Sequence, residues 1–281
     1  MSHPLLPPEA DAPLLQEFLR RSGISAALPP IEKLTAVACA FAALPFENLT
    51  KIIREAEAGT AEAARRWPAD VLGDHWTLGA GGTCFALTAT LLYLVRALGW
   101  QAEPILADRR YGADTHSALV VWIGGELRLL DPGYLIVDPL RLPAAGEVRV
   151  PTPFNELVLV GKEGGARVEL STVQHGQSTY RLTYKTAPVD AGEFLLAWDV
   201  SFEADMMRYP VLSRVVGGQQ IYLQKQHVLI RGADASQRIE IATAALAAEI
   251  AARFHLPERL VAKALGLLER KGESHGHAFR S

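Results

Sequence analysis

A cysteine that opens a helix behind a run of glycines is a candidate nucleophile, and Cys84 is placed in that way. It follows Gly79-Ala80-Gly81-Gly82-Thr83 and begins the apolar stretch 85–98, which reads as a helix closed by Gly99. Glycine lets backbone and substrate approach closely. The first turn of a helix offers free N–H groups and the positive end of the peptide dipoles, and both favour the reactive thiolate. Such a thiol needs a base, and the base needs an orienting group. Of the eight histidines, His116 opens the β-rich segment 116–123, and Asp131 closes the next one. Gly124-Gly125 between the segments is a hairpin signal. A two-residue turn there opposes Ile123 to Glu126, Val120 to Leu129 and Ala118 to Asp131. His116 shares a face with Ala118, so His116 and Asp131 become diagonal neighbours within side-chain reach. An ionised Asp131 would fix the imidazole tautomer and support imidazolium. The residues thus predict a Cys84–His116–Asp131 set for covalent catalysis.

Other residues carry less. Cys39 sits in the apolar stripe Ile31, Leu34, Ala38 and Phe41 and reads as an inert core thiol. Glu47, inside Leu44-Pro45-Phe46-Glu47-Asn48-Leu49, is either a solvated turn residue or a buried carboxylate, which is costly unless paired. Residues 79–84 are not a phosphate loop, because no Gly-Lys-Ser/Thr follows and the dinucleotide glycine pattern fails at Cys84. His275 and His277 fall in a polar tail expected to be unstructured rather than metal-binding. No metal is expected.

The elements that must position these residues come in an order. The first third reads as helices: residues 14–19 closed by Gly23, a stripe after Pro29-Pro30, an alanine-rich stretch at 60–67, and 85–98. The middle changes to strand periodicity at 118–123, 126–130, 156–160, 167–172, 180–184 and 194–202, then 211–216 and 220–230 around Gly217-Gly218. Residues 239–254 and 258–270 return to helix. Helices, then strands, then helices argue for α+β with segregated layers. The 281 residues can bury a core without staples, and two cysteines exclude a disulfide framework. A net charge of −3 disfavours nucleic acid as a partner. No apolar stretch is long enough to span a bilayer, and the first residues lack the make-up of a signal peptide. The expected location is the cytoplasm.

Four motifs in order, LPFENL (44–49), GGTCF (81–85), THSALVV (115–121) and LLDPGY (129–134), with FLRRSGI (18–24) before them, resemble the arylamine N-acetyltransferases. The resemblance covers roughly residues 14–255. It implies an N-terminal helical bundle over 1–100, a β-barrel over 101–203 and a C-terminal α/β lid over 204–281. It implies a Cys84, His116 and Asp131 triad. It also implies acyl transfer by a ping-pong route from acetyl-CoA or another acyl-CoA to an arylamine, hydrazine or N-hydroxyarylamine, with no permanently bound cofactor. Amide synthases share the triad, and a thiol hydrolase or transglutaminase-like enzyme is the other alternative. The resemblance further implies that Glu47 lies beneath the site and is braced by an N-terminal arginine. Arg21 matches that position, with Arg20 as its neighbour. The family's second brace, an arginine before the Gly-Gly of the cysteine motif, is Ala80 here. The motifs assign no substrate contacts and no oligomeric state.

Overall fold

The computed structural model describes Leu5 and residues 12–278. Helix α1 (Pro13–Ser22) starts on a proline, whose fixed φ suits a first helical position, and ends at Gly23 in the left-handed region, φ 67°. Helix α2 (Pro30–Phe41) follows, then a two-residue strand β1 (Phe46–Glu47) and helices α3 (Leu49–Ala58), α4 (Ala61–Ala64) and α5 (Pro68–Leu78). Helix α6 (Cys84–Ala97) is apolar on nearly every side, the mark of a helix buried all round. Strands β2 (Ala102–Arg109), β3 (Gly112–Ile123), β4 (Glu126–Asp131), β5 (Ile136–Arg141), β6 (Glu147–Pro151), β7 (Glu156–Lys162), β8 (Arg167–Gln174) and β9 (Gln177–Lys185) come next. Helix α7 (Ala191–Val200) separates them from β10 (Val211–Val216), β11 (Gln219–Gln224), β12 (His227–Arg231) and β13 (Ser236–Glu240). Helices α8 (Leu246–Phe254) and α9 (Glu258–Ala278) close the described chain. No helix among the described residues is long and apolar enough to cross a membrane.

The chain divides into two compact units, each stitched from separated segments. The first holds residues up to Ala43, Trp67–Ala69 and Cys84–Ala197; the second holds Leu44–Arg66, Asp70–Thr83 and the chain from Trp198 on. In the first, an eight-stranded antiparallel sheet in the order β5-β4-β3-β2-β9-β8-β7-β6 curls into a nearly closed barrel. Ile105, Val120, Leu129, Leu159, Leu170 and Tyr184 fill its core. In the second, a five-stranded sheet in the order β1-β10-β11-β12-β13 carries α8 and α9 over a core that includes Leu49, Leu212, Ile250 and Phe254. The mixed architecture and the barrel agree with the α+β class expected from the sequence.

The β3–β4 register matches the expected one: Ile123 opposes Glu126 and Val120 opposes Leu129. Gly124 and Gly125 supply the positive φ values, 61° and 80°, that this tight turn demands. Four segments differ from the sequence reading. Residues 194–202 lie largely in α7, not a strand, because the Asp190 carboxylate accepts the Glu193 N–H at 2.9 Å and starts a helix there. Residues 220–230 are two strands, broken at Lys225 with φ 58°. Ile239 belongs to β13, and α8 begins only at Leu246. The expected unstructured tail is helical through His275 and His277 to Ala278; residues 279–281 lie outside the described chain.

Candidate active site

Cys84 is the first residue of α6 and is half-buried. Its Sγ lies 3.9 Å from the Thr115 carbonyl, beside His116 on β3. One turn further along α6, Thr88 Oγ1 donates to the Ser117 carbonyl and accepts from Ser117 Oγ, both at 3.0 Å. These buried bonds pin the helix that carries the thiol to the strand that carries the imidazole. His116 Nε2 is 2.6 Å from Asp131 Oδ2 at the end of β4. Tyr184 Oη, from β9, donates to the same oxygen at 2.8 Å. His116 and Asp131 are each 4% exposed and Tyr184 is fully buried. The Tyr134 ring meets the imidazole edge-on, with centroids 5.6 Å apart. The structure thus brings Cys84, His116 and Asp131 together.

Arg109, at the end of β2, completes this cluster. Its Nη2 donates to His116 Nδ1 at 3.1 Å, and its Nη1 donates to Tyr111 Oη at 2.8 Å. A guanidinium can only donate, so Nδ1 accepts and the proton of the neutral ring is on Nε2, facing Asp131. The imidazole pKa reflects competing causes. Burial lowers it, the Asp131 charge and hydrogen bonds to Asp131 and Cys84 raise it, and Arg109 lowers it; the balance is upward. For Arg109, burial works against the charged form. Tyr134, Cys84 and Tyr111 favour it, and the balance again is upward.

Glu47 sits in a separate buried network in the second unit. It is fully buried. Thr50 donates to it twice, from its backbone N–H at 2.9 Å and from Oγ1 at 2.5 Å. Its ion pair is with Arg66, at 3.8 Å. The expected brace, Arg21, instead pairs with Glu17 one turn back on α1, and so does Arg20. The reason is the helix face: Leu15, Phe18 and Leu19 point inward, which turns both arginines outward. Arg66, 3% exposed, also donates to the Thr50 hydroxyl and the Gly81 carbonyl, both at 2.6 Å, and to Asp74 at 2.8 Å. It therefore ties Glu47 to the glycine loop that precedes Cys84, with the small Ala80 fully buried beside it. Burial raises the Glu47 pKa, against Arg66 and the Thr50 hydrogen bonds.

Sequence reasoning missed Tyr184, Arg109 and Arg66. Tyr184 belongs to a strand 53 residues beyond Asp131, and only the barrel's strand order brings it back. Arg66 left one readable trace, two adjacent arginines in the apolar run Ala63-Ala64-Arg65-Arg66-Trp67. Cys39, read as buried, is exposed.

No protein-family model and no curated protein matches the chain. Solved structures do. The arylamine N-acetyltransferase of Mycobacterium abscessus superposes with a TM-score of 0.75 at 18% identity, covering 90% of this chain and 94% of that one. That of Mycobacterium marinum, solved in complex with CoA, gives 0.72 at 21% identity and coverages of 91% and 97%. That of Salmonella typhimurium gives 0.69 at 19% identity and coverages of 91% and 98%. About one residue in five agrees while nearly the whole length of each chain superposes, and what is common to them is therefore the backbone path: this chain has the arylamine N-acetyltransferase fold.

Proposed function

We propose that the protein is an acyltransferase. It moves an acetyl or other short acyl group from acyl-CoA, through a thioester on Cys84, to an arylamine, hydrazine or N-hydroxyarylamine. The observation that carries this reading is the imidazole of His116, held by Asp131 through Nε2 at 2.6 Å, beside a Cys84 whose Sγ lies 3.9 Å from the carbonyl of the adjoining Thr115. Similarity to a fold whose M. marinum example was solved with CoA supports the choice of donor. The reaction is placed in the cytoplasm, where thiols stay reduced.

In the first half-reaction Arg109 gives up its hydrogen bond to His116 Nδ1, the Cys84 proton passes to that nitrogen, and the sulfur attacks the donor's carbonyl carbon. The bond from that carbon to the CoA sulfur breaks, the proton goes to the departing sulfur, and CoA leaves. In the second half, the acceptor nitrogen attacks the Cys84 thioester. His116 takes a proton from that nitrogen, the carbon–sulfur bond to Cys84 breaks, and the proton returns to the thiol. Asp131 stays ionised, holding the ring and balancing imidazolium.

Incubation with acetyl-CoA, followed by intact-protein mass measurement, tests the reading. The wild type should gain one acetyl group on Cys84 and pass it to an arylamine. Cys84→Ala should do neither, and Cys39→Ala both. Varying donor and acceptor should give parallel double-reciprocal lines. Free acid as the sole product would make the protein a hydrolase, and turnover by Cys84→Ala would end the proposal.

A further inference from the structure

Both ring nitrogens of His116 are occupied. Nε2 carries its proton toward Asp131 Oδ2 at 2.6 Å, and Nδ1 accepts from Arg109 Nη2 at 3.1 Å. A neutral imidazole has one acceptor nitrogen, and Arg109 holds it, so the base has no lone pair open for the Cys84 proton. A guanidinium also stays charged at any ordinary pH, and it repels the second proton that would turn the ring into imidazolium. The other groups about the ring are Asp131 with its partner Tyr184, the edge-on Tyr134 and the thiol of Cys84. The Asp131 carboxylate draws a proton to the ring, and the phenols and the thiol are neutral there. Among these neighbours Arg109 opposes proton uptake, and it does so twice, by filling the site and by its charge.

The cap sits where a side chain can move. Arg109 ends β2 after a register irregularity and pairs with Gly112 across the two-residue turn Arg110-Tyr111. The flanks of this hairpin are pinned: the Asp114 N–H donates to Asp108 Oδ1 at 3.1 Å, and Lys185 pairs with both carboxylates. The turn itself projects, with Arg110 exposed and Tyr111 70% exposed. The other end of the Arg109 guanidinium donates to that exposed phenol, at 2.8 Å. Arg109 is itself half-buried. A rotation toward solvent therefore carries its charge into water and not deeper into the protein, the inexpensive direction for an ion.

We propose that Arg109 is a positioning residue that works through His116: by capping Nδ1 it keeps Cys84 a protonated thiol in the resting protein, and the base is freed only when the side chain swings out at the β2–β3 turn. The inference rests on Cys84 as nucleophile and His116 as its base, and it adds a resting state that the cycle leaves before acylation. The first turn of α6 favours thiolate, so once Nδ1 is open the S–H proton moves to it and Asp131 balances the imidazolium. Stray electrophiles react with thiolate, not thiol. The arginine thus shields the nucleophile while no reaction is under way.

Iodoacetamide, small and uncharged, reads the Cys84 thiolate without any acyl donor. Cys39→Ala serves as the reference protein, because Cys39 is exposed and would also react. Alkylation of Cys84 in the reference, timed by intact-protein mass, should rise with pH through the ordinary thiol range, about 8.5. Adding Arg109→Met removes both the donor and the charge. Alkylation at about pH 6.5 should then be faster by about tenfold or more, equal to one unit in the apparent thiol pKa, and the profile should level off toward acid as an imidazolium–thiolate pair does. Unchanged or slower alkylation would overturn the proposal, since the guanidinium would then be supporting the thiolate. Adding His116→Asn to Arg109→Met should bring back the ordinary thiol profile. Fast alkylation that persists without the imidazole would also overturn it, because the arginine would not be acting through His116. A measurement with Arg109 in place covers the case of a variant that does not fold. In protein carrying isotope-labelled histidine at about pH 8, above the ordinary histidine value, nitrogen NMR should show the ring that disappears in His116→Asn as the neutral Nε2–H tautomer. A ring protonated on both nitrogens would end the proposal whatever the variants do. Acetyl loading of Cys84 from acetyl-CoA is measured apart from this; its failure would end the acyltransferase reading and leave the alkylation and tautomer results to decide the cap.

Discussion

Because Arg109 can only donate, a single contact assigns the tautomer of His116, and Asp131 on the other nitrogen agrees with it. The pH dependence of stability follows. The imidazole pKa is raised in the folded protein, so its contribution is full below the ordinary histidine value and is lost as pH rises through the folded one. His75 works with the opposite sign. Burial lowers its pKa against the hydrogen bond that its Nδ1 donates to the Ala80 carbonyl, so its contribution is lost as pH falls. The expected result is therefore read as a difference. Between about pH 6 and pH 8, around the ordinary histidine value, wild type should lose its advantage in melting temperature over Asp131→Asn. A gap that stays flat or widens over that range would refute the assignment. Cys84 and Asp131 were legible because each stands at the end of an element with a local signal, glycines before a helix and a strand end; His116 lies inside β3, which begins at Gly112 and not at His116 as expected, and was legible through the glycine turn that sets its face. Glu47 was legible as a buried carboxylate in need of a cation. The identity of that cation was not, because a motif match cannot say which way a side chain leaves its helix.

Elements carry these groups, and two contacts decide whether the loop before Cys84 keeps its shape. A Cβ on Gly81 would lie 1.8 Å from the Pro45 carbonyl oxygen, a backbone atom with nowhere to go. Gly73, inside α5, meets nothing within 4 Å. Gly81→Ala should therefore cost more than about 3 kcal/mol, as overpacking against backbone does at its worst, whereas Gly73→Ala should add about 0.5–1 kcal/mol of helix stability. Urea denaturation of both variants checks the pair, and equal effects would show that the loop has room. Arg66 is the second contact. Arg66→Met leaves Glu47 buried with only the donors of Leu49 and Thr50, and should cost about 3–5 kcal/mol. Adding Glu47→Gln should recover part of that loss, because the stranded charge is gone; a double variant no more stable than Arg66→Met would mean that the charge was never the problem. The β3–β4 hairpin was readable to the residue because two glycines with positive φ admit one register. Residues 194–202 were misread because their apolar content suits either element, and the arbiter, an Asp190 carboxylate at the helix start, lay just outside the window.

At the scale of the molecule, the chain is interleaved. The second unit takes Leu44–Arg66 and Asp70–Thr83 from the first third of the sequence and joins them to residues after 197. Strand β1 pairs with β10 across that gap, Asn48 donates to the Met206 and Tyr209 carbonyls, and Lys51 donates to Ser201. A fragment of residues 198–281 lacks β1, Leu49 and Ala80 from its sheet and core. It should show no cooperative unfolding transition by circular dichroism, and a fragment that melts cooperatively would contradict the interleaving. None of this was visible in the sequence, where helices, strands and helices follow one another as if in consecutive blocks; periodicity reports local structure and is silent on which distant segment completes a core. The boundary between the units falls between Thr83 and Cys84, and that has a consequence during synthesis. A ribosome adding about 5–20 residues per second delivers the thiol long before the last strands and helices of the second unit exist. Until then the segment Leu44–Arg66 has no β10 to pair with, and the glycine loop that Arg66 holds belongs to an unfinished core. The nascent chain thus carries its Cys84 thiol unassembled, and residues made after Ala197 complete the scaffold of the loop that leads into it.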